Sequence, residues 1–130
     1  MDSVILDKMV NACRAIRDQK EERSNSAAKK AMLYIQENYS KDISLDDVSG
    51  LVNISPYYFS KIFKEETGEN FIEYLTKIRI EKAKEFLVKP DISIKEAGIR
   101  SGYTDPNYFS RIFKKQTDMT PSEYKTRYGE

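Results

Sequence analysis

The chain has 130 residues, of which 39% are hydrophobic and 33% charged, a composition that suits one compact folded domain and argues against a disordered chain. The formal net charge is only +1, so any basic surface for a nucleic acid must be local. Histidine is absent, which removes most routes to zinc sites and to acid–base catalysis, and we expect no enzyme activity, metal or cofactor.

The first 25 residues predict a helix followed by a linker. A 3-4-3 spacing of apolar residues, typical of an amphipathic helix, is formed by Leu6, Met9, Cys13 and Ile16. The charged and then small polar run RDQKEERSNS that follows is typical of a linker. We interpret residues 1–25 as a helix end and linker from a missing upstream domain, with a short homodimer seam as the alternative. No segment approaches the roughly 18 apolar residues that span a bilayer, so we expect a cytoplasmic protein without membrane contact.

The remaining residues, 26–130, contain an internal repeat that defines the architecture. The stretch SPYYFSKIFKEETGENFIEYLTK, from Ser55, aligns at an offset of 50 with DPNYFSRIFKKQTDMTPSEYKTR, from Asp105, and 11 of 23 pairs are identical. Upstream, with one residue fewer, ISLDD from Ile43 pairs with ISIKE from Ile92. Each copy of about 35 residues is therefore one structural unit.

The first copy predicts two helices joined by a short turn. Ser44 and Asp47 have the spacing of a capping box, which opens a short helix. The apolar residues of that helix are Leu45, Val48, Leu51 and Val52. Asn53 favours the turn, Pro56 suits the first position of the second helix, and Gly68 suits its end. Helix, short turn, helix is the pattern of a unit that reads DNA.

Two further helices lie around the first copy. A helix over residues 27–39 is predicted to pack ahead of it. From Asn70 to Val88 the chain forms one amphipathic segment, closed by Pro90, which we interpret as a single connecting helix. Its apolar residues are Phe71, Tyr74, Leu75, Ile78, Ile80, Ala83 and Leu87.

The second copy repeats the pattern and adds a final helix. Ser93 and Glu96 predict another capping box, on a helix with the apolar residues Ile94, Ala97 and Ile99. Gly102 favours the turn, and the second helix runs from Pro106 to about Asp118. A third capping box at Thr120 opens a helix that covers Pro121 to about Arg127. The predicted fold is all-α, with two helix-turn-helix subdomains joined by a long connecting helix, about seven helices in all, plus the N-terminal helical segment.

The second helix of each copy is predicted to have one buried and one free face. The buried faces carry Phe59, Ile62 and Phe63, and Phe109, Ile112 and Phe113. The opposite faces carry Tyr57, Ser60, Lys61 and Lys64, and Asn107, Ser110, Arg111 and Lys114. Hydrogen-bonding groups mixed with cations can meet base edges and phosphates in a major groove. A single polar helix face of this kind is often only exposed to solvent. Because the same face occurs twice, each time after a capped helix and a turn, we favour DNA binding.

The sequence from Ile43 to Leu87 and from Ile92 to Lys125 resembles the AraC/XylS DNA-binding domain of bacterial transcription regulators. The second copy carries the family's hallmark most clearly, in its Gly-Tyr pair, YFSR, FKK, and the Thr-Pro and Tyr that follow. The resemblance covers about residues 27–128. It implies a seven-helix domain that reads double-stranded DNA in two adjacent major grooves and contacts RNA polymerase.

Carried over residue by residue, the resemblance also implies the positions that contact DNA. The base-reading positions are Pro56, Tyr57, Ser60, Lys61, Pro106, Asn107, Ser110 and Arg111. Lys64, Lys114 and Lys115 are better placed for phosphates. Three residues depart from the family pattern, namely Ser49, Gly98 and Asp118. They leave the reading positions untouched, and we expect only a local loss of stability, about 1 kcal/mol of helix propensity at Gly98.

Family members usually carry a second domain that senses a ligand or receives a phosphoryl group. The chain is therefore either a fragment of such a protein or a short stand-alone activator. The N-terminal helix and linker resemble those of two-component response regulators with this type of output domain, which favours a fragment of one. The main alternative is an all-α protein-interaction module that has lost DNA binding, which the near-neutral net charge favours.

Overall fold

The computed structural model describes residues 26–129, and within them the chain forms seven α-helices and no β-strand. In chain order they are α1 (26–38), α2 (Leu45–Leu51), α3 (Pro56–Thr67), α4 (Phe71–Leu87), α5 (Ile94–Ser101), α6 (Pro106–Thr117) and α7 (Pro121–Tyr128). The predicted all-α fold, with two helix-turn-helix units, α2–α3 and α5–α6, joined by the long helix α4, is confirmed. The helix and homodimer seam assigned to residues 1–25 lie outside the described residues. None of the described helices is long and apolar enough to cross a membrane.

The helix starts follow the capping residues, although only one of the three predicted capping boxes is complete. The Ser44 hydroxyl accepts from the Asp47 N–H at 3.1 Å, and the Asp47 carboxylate accepts from the Ser44 N–H at 2.9 Å. The box predicted at Ser93 is wrong in its second half, because the Glu96 carboxylate accepts from Arg100 Nε at 2.9 Å instead. At the start of α7 the part of the chain that is described likewise contains only the hydroxyl half.

The four predicted helix breaks adopt the left-handed backbone that a tight turn needs. Asn53 and Gly102 separate the helices of each unit, with φ of 59° and 110°. Gly68 and Asp118 end α3 and α6, with φ of 81° and 64°. Asp118 thus takes the conformation usually left to glycine, and its N–H donates to the carbonyl of Lys114 as that of a capping glycine does.

Two hydrophobic cores lie along α4, one for each unit. Phe59 and Phe63 of α3 are fully buried in the first core with residues of α1 and the first half of α4. Phe109 and Phe113 of α6 are buried in the second, with residues of the second half of α4. The connecting helix therefore contributes one half of its apolar stripe to each unit, which makes it the axis of the domain.

Two residues predicted to face the cores do not, whereas Ile112, although only half-buried, packs against the second core as predicted. Leu51 and Ile99 are exposed, at 52% and 45% of their surface. Each of these two lies two residues after a buried one, Ser49 or Ala97, and two residues correspond to about 200° around a helix. They therefore point away from the core that their neighbours enter.

A small buried residue lies on each of α2 and α5, Ser49 and Gly98. Gly98 is buried, and a Cβ atom built on it would lie 2.8 Å from the Phe109 ring. The ring therefore fills the space of the missing methyl, so Gly98 has a packing role that helix propensity does not describe. Ser49, its counterpart in the first unit, is buried and its hydroxyl donates to the Asp46 carbonyl at 3.2 Å.

Candidate nucleic-acid interface

The predicted contact residues lie on the outer faces of α3 and α6. On α3, Ser60 is half-buried and the exposed residues are Pro56, Tyr57, Lys61 and Lys64. On α6, Ser110 is half-buried and the exposed residues are Pro106, Asn107, Arg111, Lys114 and Lys115. Tyr57 is the extreme case, with 86% of its surface exposed. The fold thus places each set on one surface, because the phenylalanines on the opposite face of each helix enter the cores.

Caps fix the first turn of α3 and of α6, the two reading helices, and half of the predicted base-reading residues lie in these turns. The Ser55 hydroxyl accepts from the Tyr58 N–H at 3.2 Å, and Pro56 follows it at the first helical position. In the second unit, Asp105 Oδ1 accepts from the Asn107 N–H at 3.0 Å. A capped first turn leaves little freedom to fray, so the backbone positions from which these side chains project are fixed before any ligand arrives.

The side chains of these two faces are free to contact a ligand. Within residues 26–129, none of the predicted contact side chains takes part in a hydrogen bond or an ion pair with the rest of the protein. Other surface cations are engaged, such as Lys77, Lys84 and Arg100, each paired with a glutamate. Polar groups without internal partners can exchange water for base edges or phosphates at a low cost.

The two faces differ in charge. The α6 face carries Arg111, Lys114 and Lys115, and α6 contains no acidic residue. On α3, Lys61 and Lys64 share a shallow groove of about 370 Å³ with Tyr57, Ser60 and the acidic Glu65. The attraction for a polyanion is therefore stronger at α6 than at α3.

Side chains that the sequence patterns did not identify connect the turn before α6 to the connecting helix α4. Tyr103 packs on Phe109 with ring centroids 5.6 Å apart, and the Arg79 guanidinium lies 5.5 Å from the Tyr103 centroid. Burial raises the pKa of the Tyr103 hydroxyl above 10.0, and the charge of Arg79 reduces this effect. Lys125 of α7 donates to three carbonyl groups at the end of α4 and in the loop after it.

Known proteins with the same organisation match most of this chain. A family model described as a helix-turn-helix domain matches residues 48–127. Regulatory protein PocR of Salmonella typhimurium is 36% identical over 106 residues, which cover 82% of this chain and 35% of that protein. The chain spans about a third or less of the length of the curated relatives that it matches first.

Two solved structures have the same fold. The C-terminal domain of AraT, a response regulator from Geobacillus stearothermophilus, superposes with a TM-score of 0.77 at 39% identity, over 80% of this chain and 87% of that domain. The DNA-binding domain of AdpA, solved in complex with a target DNA, superposes with a TM-score of 0.74 over 78% of this chain and 91% of that one, and at 21% identity it shows the fold alone. On the family match and the similarity to AraT, this chain belongs to the AraC/XylS family of transcription regulators and carries its DNA-binding domain.

Proposed function

We propose that this chain regulates transcription by binding a specific double-stranded DNA site with α3 and α6 in two adjacent major grooves. The observation that carries the proposal is the pair of matched polar faces on two helices with capped first turns, whose side chains have no hydrogen-bonded or ion-paired partner among residues 26–129. The 17 residues of α4 span roughly 26 Å, which is comparable with the ~34 Å between successive major-groove faces of B-DNA. Membership of the AraC/XylS family, whose DNA-binding domain this chain carries, supports DNA as the ligand.

Base reading is assigned to the first two turns of each reading helix. We expect Lys61 and Arg111 to donate to guanine edges or nearby phosphates, and Asn107 to make a bidentate contact with adenine. Tyr57, the most exposed aromatic residue described, suits the thymine methyl or the sugar. The proposed base-reading set is completed by Pro56, Ser60, Pro106 and Ser110. Lys64, Lys114 and Lys115 lie further along the helices, and we assign them to phosphates, which fix the register without reading sequence.

The chain is proposed to act as the output domain of a larger, signal-responsive regulator. Its length relative to its relatives supports this, and the similarity to a response-regulator C-terminal domain favours a phosphoryl-receiving partner domain. Contact with RNA polymerase is proposed from the family resemblance. A homodimer, through residues 1–25 or through a missing domain, is proposed from the apolar spacing in that segment.

Selection from a random duplex DNA library at about 150 mM salt tests the proposal, because non-specific phosphate attraction is then partly suppressed. Two enriched short elements, about one helical turn apart, are the expected result. A single element would overturn the two-groove arrangement and leave one active unit. The matched variants are Arg111→Ala and Lys29→Ala, which remove the same charge, the second from an exposed position on α1. Only the first is expected to change the selected sequence.

A protein-interaction module is the second candidate. Glu65 in the groove beside Lys61, together with the net charge of +1, favours it for the first unit. No enriched sequence, combined with the absence of any salt-dependent binding to DNA, would favour this candidate over DNA reading.

A further inference from the structure

The connecting helix carries an arginine that reaches back to the first unit. Arg79, in the middle of α4, donates from Nε to the Tyr39 carbonyl at 2.7 Å and from an Nη atom to the Lys41 carbonyl at 2.9 Å. Both carbonyls belong to the loop between α1 and α2. The planar guanidinium presents its donors in a fixed fork, so it fixes the position of that loop relative to α4.

The same guanidinium contacts the second unit. Its central carbon lies 5.5 Å from the centroid of the Tyr103 ring. A Cβ atom built on Gly102 would lie 2.8 Å from Arg79 Nε and 2.8 Å from the Tyr39 carbonyl oxygen. The turn between α5 and α6, the loop after α1 and the Arg79 side chain are therefore in direct contact, and only glycine leaves room for them at this point.

This contact joins the two units in addition to α4 itself. Among the described helices, α4 packs against members of both units, whereas α2 and α3 have no comparable packing against α5, α6 or α7. A single helix that connects two small cores can bend, and bending would change the distance and angle between α3 and α6. Lys82, one turn after Arg79, lies 5.9 Å from the Tyr39 ring and adds a weaker contact on the same side.

We propose that Arg79 is a positioning residue that sets the separation and angle of the two reading helices, and thereby the spacer length between the two DNA elements. The proposal concerns geometry within the protein, and its consequence for DNA rests on the proposed function. Arg79 touches neither reading face. Its effect on specificity arises because two linked sites bind together only when their spacing matches that of the helices.

A distance measurement without DNA tests the geometry. Spin labels on Glu65→Cys and Gln116→Cys, in the full chain with Cys13→Ser, place one probe on each exposed reading helix. The distance distribution should be narrow in this background and in the control Lys77→Met, which removes an exposed cation from the same helix. In Arg79→Met the distance distribution should broaden or shift, because methionine keeps an apolar side chain at this position but lacks the guanidinium that holds the loop. A distribution that superposes on the control would overturn the proposal, whatever the chain does with DNA.

Spacer dependence tests the consequence for DNA. With the selected site lengthened or shortened by one base pair, the parent chain should lose affinity steeply. Arg79→Met should bind the optimal spacing about tenfold more weakly, with a much smaller penalty for the altered spacers and unchanged affinity for each single element. Arg79→Lys keeps the charge but lacks the fork, so it should fall between the two even if Arg79→Met folds poorly. Equal losses on all spacers and on single elements would show a general loss of folded protein and would overturn the positioning role.

Discussion

Replacing Lys125 with methionine is expected to destabilise the domain more than the loss of any fully exposed lysine. The Lys125 ammonium donates to the carbonyls of Leu87, Lys89 and Ile92 at 3.0, 2.9 and 2.8 Å. Leu87 is the last residue of α4, and the other two lie in the loop before α5. All three donors of the ammonium are used, and a positive charge at the C-terminal end of a helix also interacts favourably with the helix dipole.

The magnitude follows from the number and exposure of these bonds. A hydrogen bond to a charged group contributes about 1.5–3 kcal/mol. The Lys89 carbonyl is exposed and can regain water, while those of Leu87 and Ile92 are partly buried. The methionine retains the apolar stem, so the net loss is about 2–3 kcal/mol of unfolding free energy. For a domain of this size that corresponds to a fall in Tm of roughly 10 °C.

Urea unfolding followed by circular dichroism measures this loss. The control is Lys115→Met, which removes the same charge from an exposed position on α6 and should change stability by less than about 0.5 kcal/mol. If the Lys125 and Lys115 variants unfold at the same urea concentration with equal slopes, the three bonds contribute nothing measurable and the reasoning is refuted.

Three further experiments probe the α6 face, helix α2 and a buried tyrosine. Arg111→Ala should cost about 1–3 kcal/mol at the preferred site and relax its sequence, whereas Lys114→Ala should weaken all duplexes alike; competition binding separates the two. Gly50→Ala should raise the unfolding free energy by about 0.5–1 kcal/mol, because a Cβ there meets no atom within 4 Å; a lower Tm would contradict this. The raised pKa of Tyr103 favours the neutral phenol in the folded state, so its contribution to stability is complete below pH 10.0 and is lost as pH rises through the folded pKa. Between pH of about 9 and about 11, the Tm of Tyr103→Phe should therefore fall less than the Tm of the parent chain. The control is Tyr57→Phe, at an exposed position, whose Tm should fall by as much as that of the parent chain.

Much of the fold could be predicted because its determinants are local. A capping residue followed by proline starts a helix wherever it occurs, and the 3.6-residue period of the apolar side chains identifies the buried face. The internal repeat then predicts contacts as well as helices. The Phe63–Tyr74 edge contact, 5.3 Å between centroids, recurs as Phe113–Tyr124 at 5.5 Å.

The details that could not be predicted depend either on two competing local partners or on partners distant in sequence. Whether Glu96 completes a capping box or pairs with Arg100 is decided by two competing donors on the same helix. Arg79 binds carbonyl groups 38 and 40 residues away, and every residue has a carbonyl, so no pattern of side chains identifies its partners. Lys125 can be noticed in the sequence, because the repeat alignment at an offset of 50 pairs it with Leu75, which is buried. A lysine at a core position of one copy indicates that the environment of that copy differs.

The differences between the two repeats predict that the two units contribute differently to DNA binding. In the second unit, Lys125 donates a hydrogen bond to the last carbonyl of α4. Its reading helix, α6, carries three cationic residues and no acidic residue. The first has an ordinary core leucine at the matching position and a reading face on which Glu65 lies beside Lys61. Since each neutralised phosphate adds to the salt dependence of binding, α6 should account for most of that dependence. Because the electrostatic attraction of α3 for DNA is weaker, the contribution of α3 to binding should depend more on a correct match to the bases and on a correct spacing from α6. That spacing is what we propose the contact around Arg79 controls.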